Sequence, residues 1–183
     1  FLTSDGDGGL NIFTNQGLAM DQEWNGFDDK AVIATGPSPA AAYVTDLNLD
    51  SDPIADPAVN LDDIIVVDRE LNQLTVLLNN NAIRGSLRFS PPAAIPFEAS
   101  PVAVTAGDYD GDGDPDVATI VVDSGTQSRS LLLLRNDLDT GTGQVQFAED
   151  DLGVPQPENP VLLASGDVSL DENEDLIAIT GDL

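Results

Sequence analysis

An internal repeat is the feature that most constrains the fold of this chain. Two further landmarks, an apolar run that ends at asparagine and then an isolated phenylalanine, precede the start of each copy in the same order. Each copy begins with a proline that is followed seven residues later by an aspartate, and these aspartates are 62 and 59 residues apart. The landmarks are Pro39, Pro101 and Pro160; Asp46, Asp108 and Asp167; Asn15, Asn79 and Asn136; and Phe27, Phe89 and Phe147. A repeat of this length predicts one supersecondary unit stacked several times.

Each repeat carries four segments typical of β-strands. In the repeat that begins at Pro101 they are residues 102–106, residues 117–122, the leucine-rich run that ends at Asn136, and a short segment at 144–147. Clusters of Gly, Asp, Asn and Ser separate these segments, as expected for antiparallel strands joined by turns. No segment of ten or more residues shows a capped helical period. We therefore predict an all-β fold of four-stranded antiparallel sheets, the blades of a β-propeller.

The landmarks divide the chain into four parts. Residues 1–38 form the C-terminal part of a blade, 39–100 a complete blade with an inserted Asp-rich loop, 101–159 a second complete blade, and 160–183 the first two strands of another. Propellers close with four to eight blades, and this sequence holds fewer. We expect either an excerpt of a longer propeller, with the remaining blades in the rest of the protein, or a ring completed by other subunits.

The loop after the first strand of the second complete repeat has the composition of a calcium site. Its sequence DYDGDGDPD places carboxylates at loop positions one, three, five and nine, which are Asp108, Asp110, Asp112 and Asp116. Calcium takes six to eight oxygen ligands, and such spacing lets a tight turn direct side chains inward. Gly113 permits the sharp bend at position six, and Asp114 would offer its backbone carbonyl. Without a cation, carboxylates this close repel one another.

Other readings of this loop are an EF-hand and a solvated acidic turn. An EF-hand requires glutamate at position twelve and a following helix, whereas Thr119 occupies that position within a strand-like segment. A loop that joins two strands and binds a structural calcium ion therefore remains the leading interpretation, with the solvated turn as its alternative.

The other two repeats carry degenerate copies of this loop. In the last repeat the residues at positions one, three, five, seven and nine are Asp167, Ser169, Asp171, Asn173 and Asp175, with Glu172 in place of the bend glycine. In the first complete repeat they are Asp46, Asn48 and Asp50, with Asp63 at position nine after a nine-residue insertion at 53–61. Asp56 and Asp62 are rivals for that last role. We expect one to three calcium ions in all.

Together these features resemble the FG-GAP/VCBS repeat family, which forms the propellers of integrin α-chains and of many microbial surface proteins. The resemblance rests on GDYDGDGDPDVATI at residues 107–120 and on the landmark spacing, and it covers nearly the whole chain. It implies a ring of about seven blades. It also implies that the calcium loops lie on the hairpin side, away from the main recognition face.

Composition narrows the classes of function. The chain has 33 acidic and 6 basic residues, a net charge of -27, and neither histidine nor cysteine. This charge excludes a nucleic-acid surface and argues against an anionic membrane as partner. Ser-His-Asp triads, cysteine nucleophiles and zinc sites of imidazole or thiolate are excluded as well. The apolar runs are too short for direct membrane insertion.

The leading functional hypothesis is a secreted or cell-surface, calcium-stabilised propeller that acts as a binding or adhesion module. Its partner would be a protein or carbohydrate ligand, bound by loops such as the insertion at 53–61. Two alternatives remain open: a structural repeat unit of a surface layer or filament, and a catalytic or non-catalytic part of a polysaccharide-acting enzyme. Enzymatic activity is disfavoured because the basic residues do not cluster in sequence. Trp24 and Tyr43 could form a sugar-stacking platform, although a single Trp is more often a packing residue.

Overall fold

The computed structural model describes residues 8–17, 23–28, 31–50, 60–80, 87–91, 93–150, 153, 156–171 and 173–181. These residues form twelve β-strands and no helix, so none of them lies in a helix that could cross a membrane. The strands are β1 Gly9–Ile12, β2 Ala31–Ala34, β3 Pro39–Thr45, β4 Asp63–Asp68, β5 Gln73–Leu77, β6 Ala93–Pro96, β7 Ser100–Gly107, β8 Asp116–Val122, β9 Arg129–Asn136, β10 Phe147–Asp150, β11 Pro160–Gly166 and β12 Asp175–Thr180.

The strands assemble into four antiparallel sheets in chain order. Sheet 1 is β1–β2, sheet 2 is β3–β4–β5–β6, sheet 3 is β7–β8–β9–β10 and sheet 4 is β11–β12. Sheets 2 and 3 are four-stranded meanders, as the sequence predicts. Their central hairpins turn through residues with positive φ, Asn72 at 48° and Gln127 at 60°. Asparagine is enriched in the left-handed region, and neither residue is β-branched, the class for which positive φ is most costly.

The sequence landmarks occupy equivalent places in the sheets. The first strand of each repeat begins at the landmark proline or, in β7, one residue before it, and its pairing shifts by a β-bulge directly after the proline. Each landmark asparagine pairs with the phenylalanine of the same repeat, in the pairs Asn15–Phe27, Asn79–Phe89 and Asn136–Phe147. The repeat in the sequence is therefore a repeat of strand register.

Three apolar layers hold successive sheets together. Within β4, Ile64 and Val66 face sheet 1, while Ile65 and Val67 face sheet 3. This alternation follows from the two-residue period of a strand, and burial on both faces explains the continuous apolar run. The layer between sheets 2 and 3 also contains Leu47, Leu74, Val76, Phe97, Val104, Ala106, Val117 and Leu134. The layer between sheets 3 and 4 contains Ala103, Ala118, Ile120, Leu131, Leu133 and Leu163.

Two sequence expectations about individual segments are wrong. The last strand of sheet 3 is Phe147–Asp150 rather than 144–147, because Asp139 and Gln144 close a separate turn first. The amides of Thr142 and Gly143 both donate to the Asp139 carbonyl in that turn. Trp24 is not a packing residue of the core: it is 58% exposed and lies edge-to-face with Phe27 at 5.4 Å. Tyr43, its expected partner, packs against the layer between sheets 2 and 3 instead.

Candidate metal centre

Residues 108–115 connect β7 to β8, and the pair Gly107–Asp116 closes the hairpin. Asp108, Asp110 and Asp116 each place one carboxylate oxygen so that the three oxygens lie within 4.8 Å of one another. Calcium bonds oxygen at about 2.3–2.6 Å, so ligands on opposite sides of one ion are about 5 Å apart. The spacing therefore fits a single calcium ion. In the described part of the chain, this is the one group of three or more acidic side chains that meets that spacing.

The loop backbone is shaped by its own aspartates and glycines. Asp108 accepts hydrogen bonds from the amides of Gly111, at 2.7 Å, and Gly113, at 2.9 Å. Both glycines have positive φ, 79° and 98° respectively. Glycine adopts these angles without steric cost, so the two positions let the chain wrap around the Asp108 carboxylate. The loop thus has a tight turn at the position where the sequence predicts it.

Asp116 is the buried member of the group. It is 0% exposed, and its two oxygens accept hydrogen bonds from the amides of Tyr109, at 3.0 Å, and Asn136, at 2.9 Å. Burial raises the pKa of Asp116, the two amide hydrogen bonds oppose this, and the charges of Asp110 and Asp112 raise it further. A bound cation would favour the ionised form that burial and the neighbouring carboxylates disfavour.

The two remaining acids of this loop lie outside the group of three. Asp112 accepts a hydrogen bond from the amide of Asp114 at 3.0 Å. The Asp114 carboxylate accepts one from the amide of Leu138, in the loop between β9 and β10, also at 3.0 Å. Burial, with smaller contributions from Asp112 and other loop acids, raises the pKa of Asp114. Because its side chain is engaged with the next hairpin, the backbone carbonyl is the group that Asp114 could offer an ion.

The loop of sheet 2 keeps the same closure despite its insertion. Thr45 pairs with Asp63 as Gly107 pairs with Asp116, so the register makes Asp63 the counterpart of Asp116. Asp63 is 0% exposed and accepts the amides of Leu47, at 2.9 Å, and Asn79, at 2.7 Å. Burial raises the pKa of Asp63 to about 6. Residues 51–59, which include most of the insertion and the rival ligand Asp56, lie outside the described residues.

Asp46, Asn48 and Asp50 form a turn next to Asp63. The Asp50 amide donates to Asp46 at 3.1 Å, and the Asn48 side-chain amide donates to Asp50 at 3.0 Å. Burial raises the pKa of Asp46, which is 8% exposed. The other carboxylate oxygen of Asp50, Oδ1, is buried without a hydrogen-bond partner among the described residues. The rival ligand Asp62 is exposed, and its carbonyl accepts the side chain of Asn79.

The loop of sheet 4 is the most open of the three. Asp175 accepts the amides of Val168 and Ser169, both at 2.9 Å. Asp167 accepts the amides of Leu170, at 2.6 Å, and Asp171, at 3.2 Å. The pKa of Asp171 is lowered, chiefly by a hydrogen bond from the amide of Asn173. The residues from Val168 to Asp171 and Asn173 are exposed, and Glu172 lies outside the described residues.

Sequence reasoning missed three residues that connect the loops to the sheets. Leu47 and Tyr109 occupy loop position two, and each packs into the apolar layer shared with the following sheet. Burial raises the pKa of Tyr109 to about 12. Asn136 donates from its side chain to the carbonyls of Leu47, at 3.0 Å, and Pro115, at 3.2 Å. The recurring asparagine was visible in the sequence, whereas its bond to a neighbouring sheet was not.

Comparison with known proteins bears directly on this loop. A family model described as FG-GAP-like repeat matches residues 60–119, which run from just before β4 through the 108–116 loop into β8. The match confirms the resemblance seen in the sequence for that third of the chain. No curated protein and no solved structure matches the chain.

Proposed function

From the FG-GAP-like repeat at residues 60–119, we propose that this chain is part of a calcium-stabilised β-propeller that serves as an extracellular or cell-surface binding module. Sheets 1 to 4 would be successive blades or parts of blades. The observation that carries the proposal is the convergence of oxygens from Asp108, Asp110 and Asp116 within 4.8 Å in the connection between two strands of such a repeat.

The ion would have a structural role. Asp108 holds the turn, Asp116 holds the amides of Tyr109 and Asn136, and Asp110 approaches from the exposed side. When bound, calcium would supply positive charge to carboxylates that otherwise repel one another across a short distance. The hairpin between β7 and β8 would be stabilised, and with it the contacts of sheet 3 to its neighbours.

Thermal unfolding followed by circular dichroism tests the metal part of the proposal. At calcium concentrations about 100 times Kd, the stabilisation is about 2.7 kcal/mol, which corresponds to a rise in Tm of roughly 5–10 °C for a chain of this size. Asp110→Ala should lose most of this rise. Glu149→Gln, which neutralises an exposed acid on β10, should keep it. An identical wild-type Tm in calcium and in chelator would contradict the proposal.

The outer faces of sheets 1 and 4 support a larger assembly. Phe13 is 47% exposed, whereas Leu77 and Leu134, which lie like Phe13 two residues before the landmark asparagine, are each 1% exposed. On the opposite side, Ile177 and Ile179 are 37% and 51% exposed. We propose that further sheets of the same kind, from the rest of the protein or from other subunits, cover both faces.

Light scattering after size-exclusion chromatography tests this assembly. The chain alone should associate as concentration rises, because two apolar faces are uncovered. The double variant Ile177→Thr and Ile179→Thr should associate less. A chain that stays monomeric and does not bind a hydrophobic dye would contradict the proposed covering of these faces.

Ligand recognition would come from loops rather than from the calcium sites, with the insertion at 53–61 as the main candidate. The net charge of -27 favours a neutral or basic partner, either protein or carbohydrate. Binding of the chain to immobilised neutral polysaccharides and basic proteins, compared with a variant that lacks residues 53–59, tests this role. Loss of binding at unchanged Tm is expected. Equal binding by both proteins would refute the role of the insertion.

A further inference from the structure

Four buried residues join the acidic loops of sheets 2 and 3 by hydrogen bonds. The Asn136 amide donates to Asp116 at 2.9 Å, and the Asn136 side chain donates to the Leu47 carbonyl at 3.0 Å. The Leu47 amide in turn donates to Asp63 at 2.9 Å. All four residues are 0% exposed. The position-nine aspartates of two neighbouring repeats are therefore linked through three hydrogen bonds that water does not reach.

The orientation of the Asn136 side chain is fixed by its two acceptors. Its amide nitrogen donates to the Leu47 carbonyl in one loop and to the Pro115 carbonyl, at 3.2 Å, in the other. The side-chain oxygen is buried and has no hydrogen-bond partner among the described residues. Exchanging the side-chain nitrogen and oxygen of Asn136 would place the oxygen against two carbonyl oxygens, which cannot donate to it. The nitrogen therefore stays between the two loops and donates one hydrogen to each. An unpaired buried oxygen costs stability, which sets this residue apart from an ordinary core asparagine.

Leu47 couples this hydrogen bonding to the packing of the sheets. Its side chain lies in the apolar layer between sheets 2 and 3, with Val104 and Val117 of sheet 3 in the same cluster. A movement of the 46–50 turn away from Asn136 would also withdraw Leu47 from that layer. The turn thus has a docked arrangement, in which hydrogen bonds and packing act together.

We propose that Asn136 couples the two acidic loops, so that calcium binding at 108–116 orders the 46–50 turn of the neighbouring sheet. This inference rests on the proposed calcium site. An ion bound by Asp116 would restrain its carboxylate, which accepts the Asn136 amide. Asn136 would in turn restrain the Leu47 carbonyl, to which its side chain donates. Since one neutral hydrogen bond contributes about 1 kcal/mol, the expected coupling is about fivefold, at the lower end of the usual range.

Amide hydrogen exchange of the whole chain, with and without calcium, tests the coupling. In the wild type, calcium should slow exchange of the Leu47 and Asp50 amides by about fivefold beyond any change at Ile33 in sheet 1, which reports general stabilisation. Asn136→Ala should abolish this extra protection. Asn80→Ala is the matched control and should keep the extra protection, since the exposed Asn80 side chain donates to the Ser90 hydroxyl, outside both acidic loops.

The possible outcomes separate the inference from the function on which it rests. Protection of the Gly111 and Gly113 amides without extra protection of Leu47 would overturn the coupling and leave the calcium site in place. No protection in either loop would overturn both. If Asn136→Ala does not fold, Asn136→Ser, which keeps a small polar side chain but cannot reach both carbonyls, takes its place. Extra protection of Leu47 that persists in the folded variant would show that Asn136 does not carry the coupling.

Discussion

Replacing Asp116 should destabilise the protein even when no metal is present, unlike replacement of Asp110, the exposed carboxylate of the group. In Asp116→Ala, the half-buried amide of Tyr109 and the buried amide of Asn136 lose their acceptor. Each buried amide left unpaired costs about 1–3 kcal/mol, and removing a buried carboxylate whose pKa is raised recovers part of this. We expect a net loss of roughly 2–4 kcal/mol in chelator, or roughly 5–15 °C in Tm.

Asp110→Ala is the matched comparison, because Asp110 is exposed and accepts one hydrogen bond, from the amide of Asp112 at 3.1 Å. In chelator its loss should cost less than about 1 kcal/mol. Urea unfolding followed by circular dichroism measures both variants in chelator and in calcium. In calcium, both should lose the stabilisation that the ion gives the wild type. If Asp116→Ala were as stable as Asp110→Ala in chelator, the assignment of Asp116 as the acceptor that closes the hairpin would be refuted.

Three further predictions concern pH, backbone angle and a strand edge. Because burial raises the pKa of Asp63 to about 6 in the folded state, that state binds its proton more tightly than the unfolded chain. Lowering the pH from 7 to 5 in chelator should therefore raise the free energy of unfolding of the wild type, by roughly 1 kcal/mol from this group alone. In Asp63→Asn, the free energy of unfolding measured in urea should depend less on pH over this range. Gly113→Ala should cost about 1–2 kcal/mol of folding free energy, because Gly113 has φ of 98°, which alanine adopts only with strain. No atom lies close to the added Cβ, so the cost comes from the backbone angle alone. Gly166→Ala, also in open space but without positive φ, should be nearly neutral in the same melts. Gln156→Ala should cost about 1–2 kcal/mol in urea unfolding, because the Gln156 side chain forms hydrogen bonds with both the amide and the carbonyl of Leu131, each at 3.1 Å. An unchanged unfolding midpoint would show that water replaces the Gln156 side chain without loss of stability.

Much of the strand order could be predicted because the repeat supplies three views of one unit. The landmark Asn and Phe residues mark a cross-strand pair, and strand periodicity places apolar side chains on both faces of β4. The counterpart of Asp116 in sheet 2 could be identified as Asp63 across an insertion, because the strand that follows is closely similar. Local patterns of this kind depend on residues near one another in sequence.

Contacts between sheets could not be predicted in the same way. The bond from Asn136 to Leu47 joins residues 89 positions apart, and it depends on how two sheets stack. The sequence likewise suggests that four carboxylates of this loop point toward an ion, those of Asp108, Asp110, Asp112 and Asp116. In the structure, Asp112 lies outside the converging group of three and instead accepts a hydrogen bond from the amide of Asp114. Turn geometry and side-chain competition decide these roles, and spacing alone does not encode them.

Equilibrium dialysis against calcium, with the ion content of the protein measured by atomic emission, tests the central claim most directly. The double variant Asp108→Ala and Asp110→Ala measures the calcium that other exposed acids bind. The wild-type chain should retain at least one calcium ion per molecule more than this variant. Equal calcium content in wild type and double variant would contradict the assignment of the 108–116 loop as a calcium site.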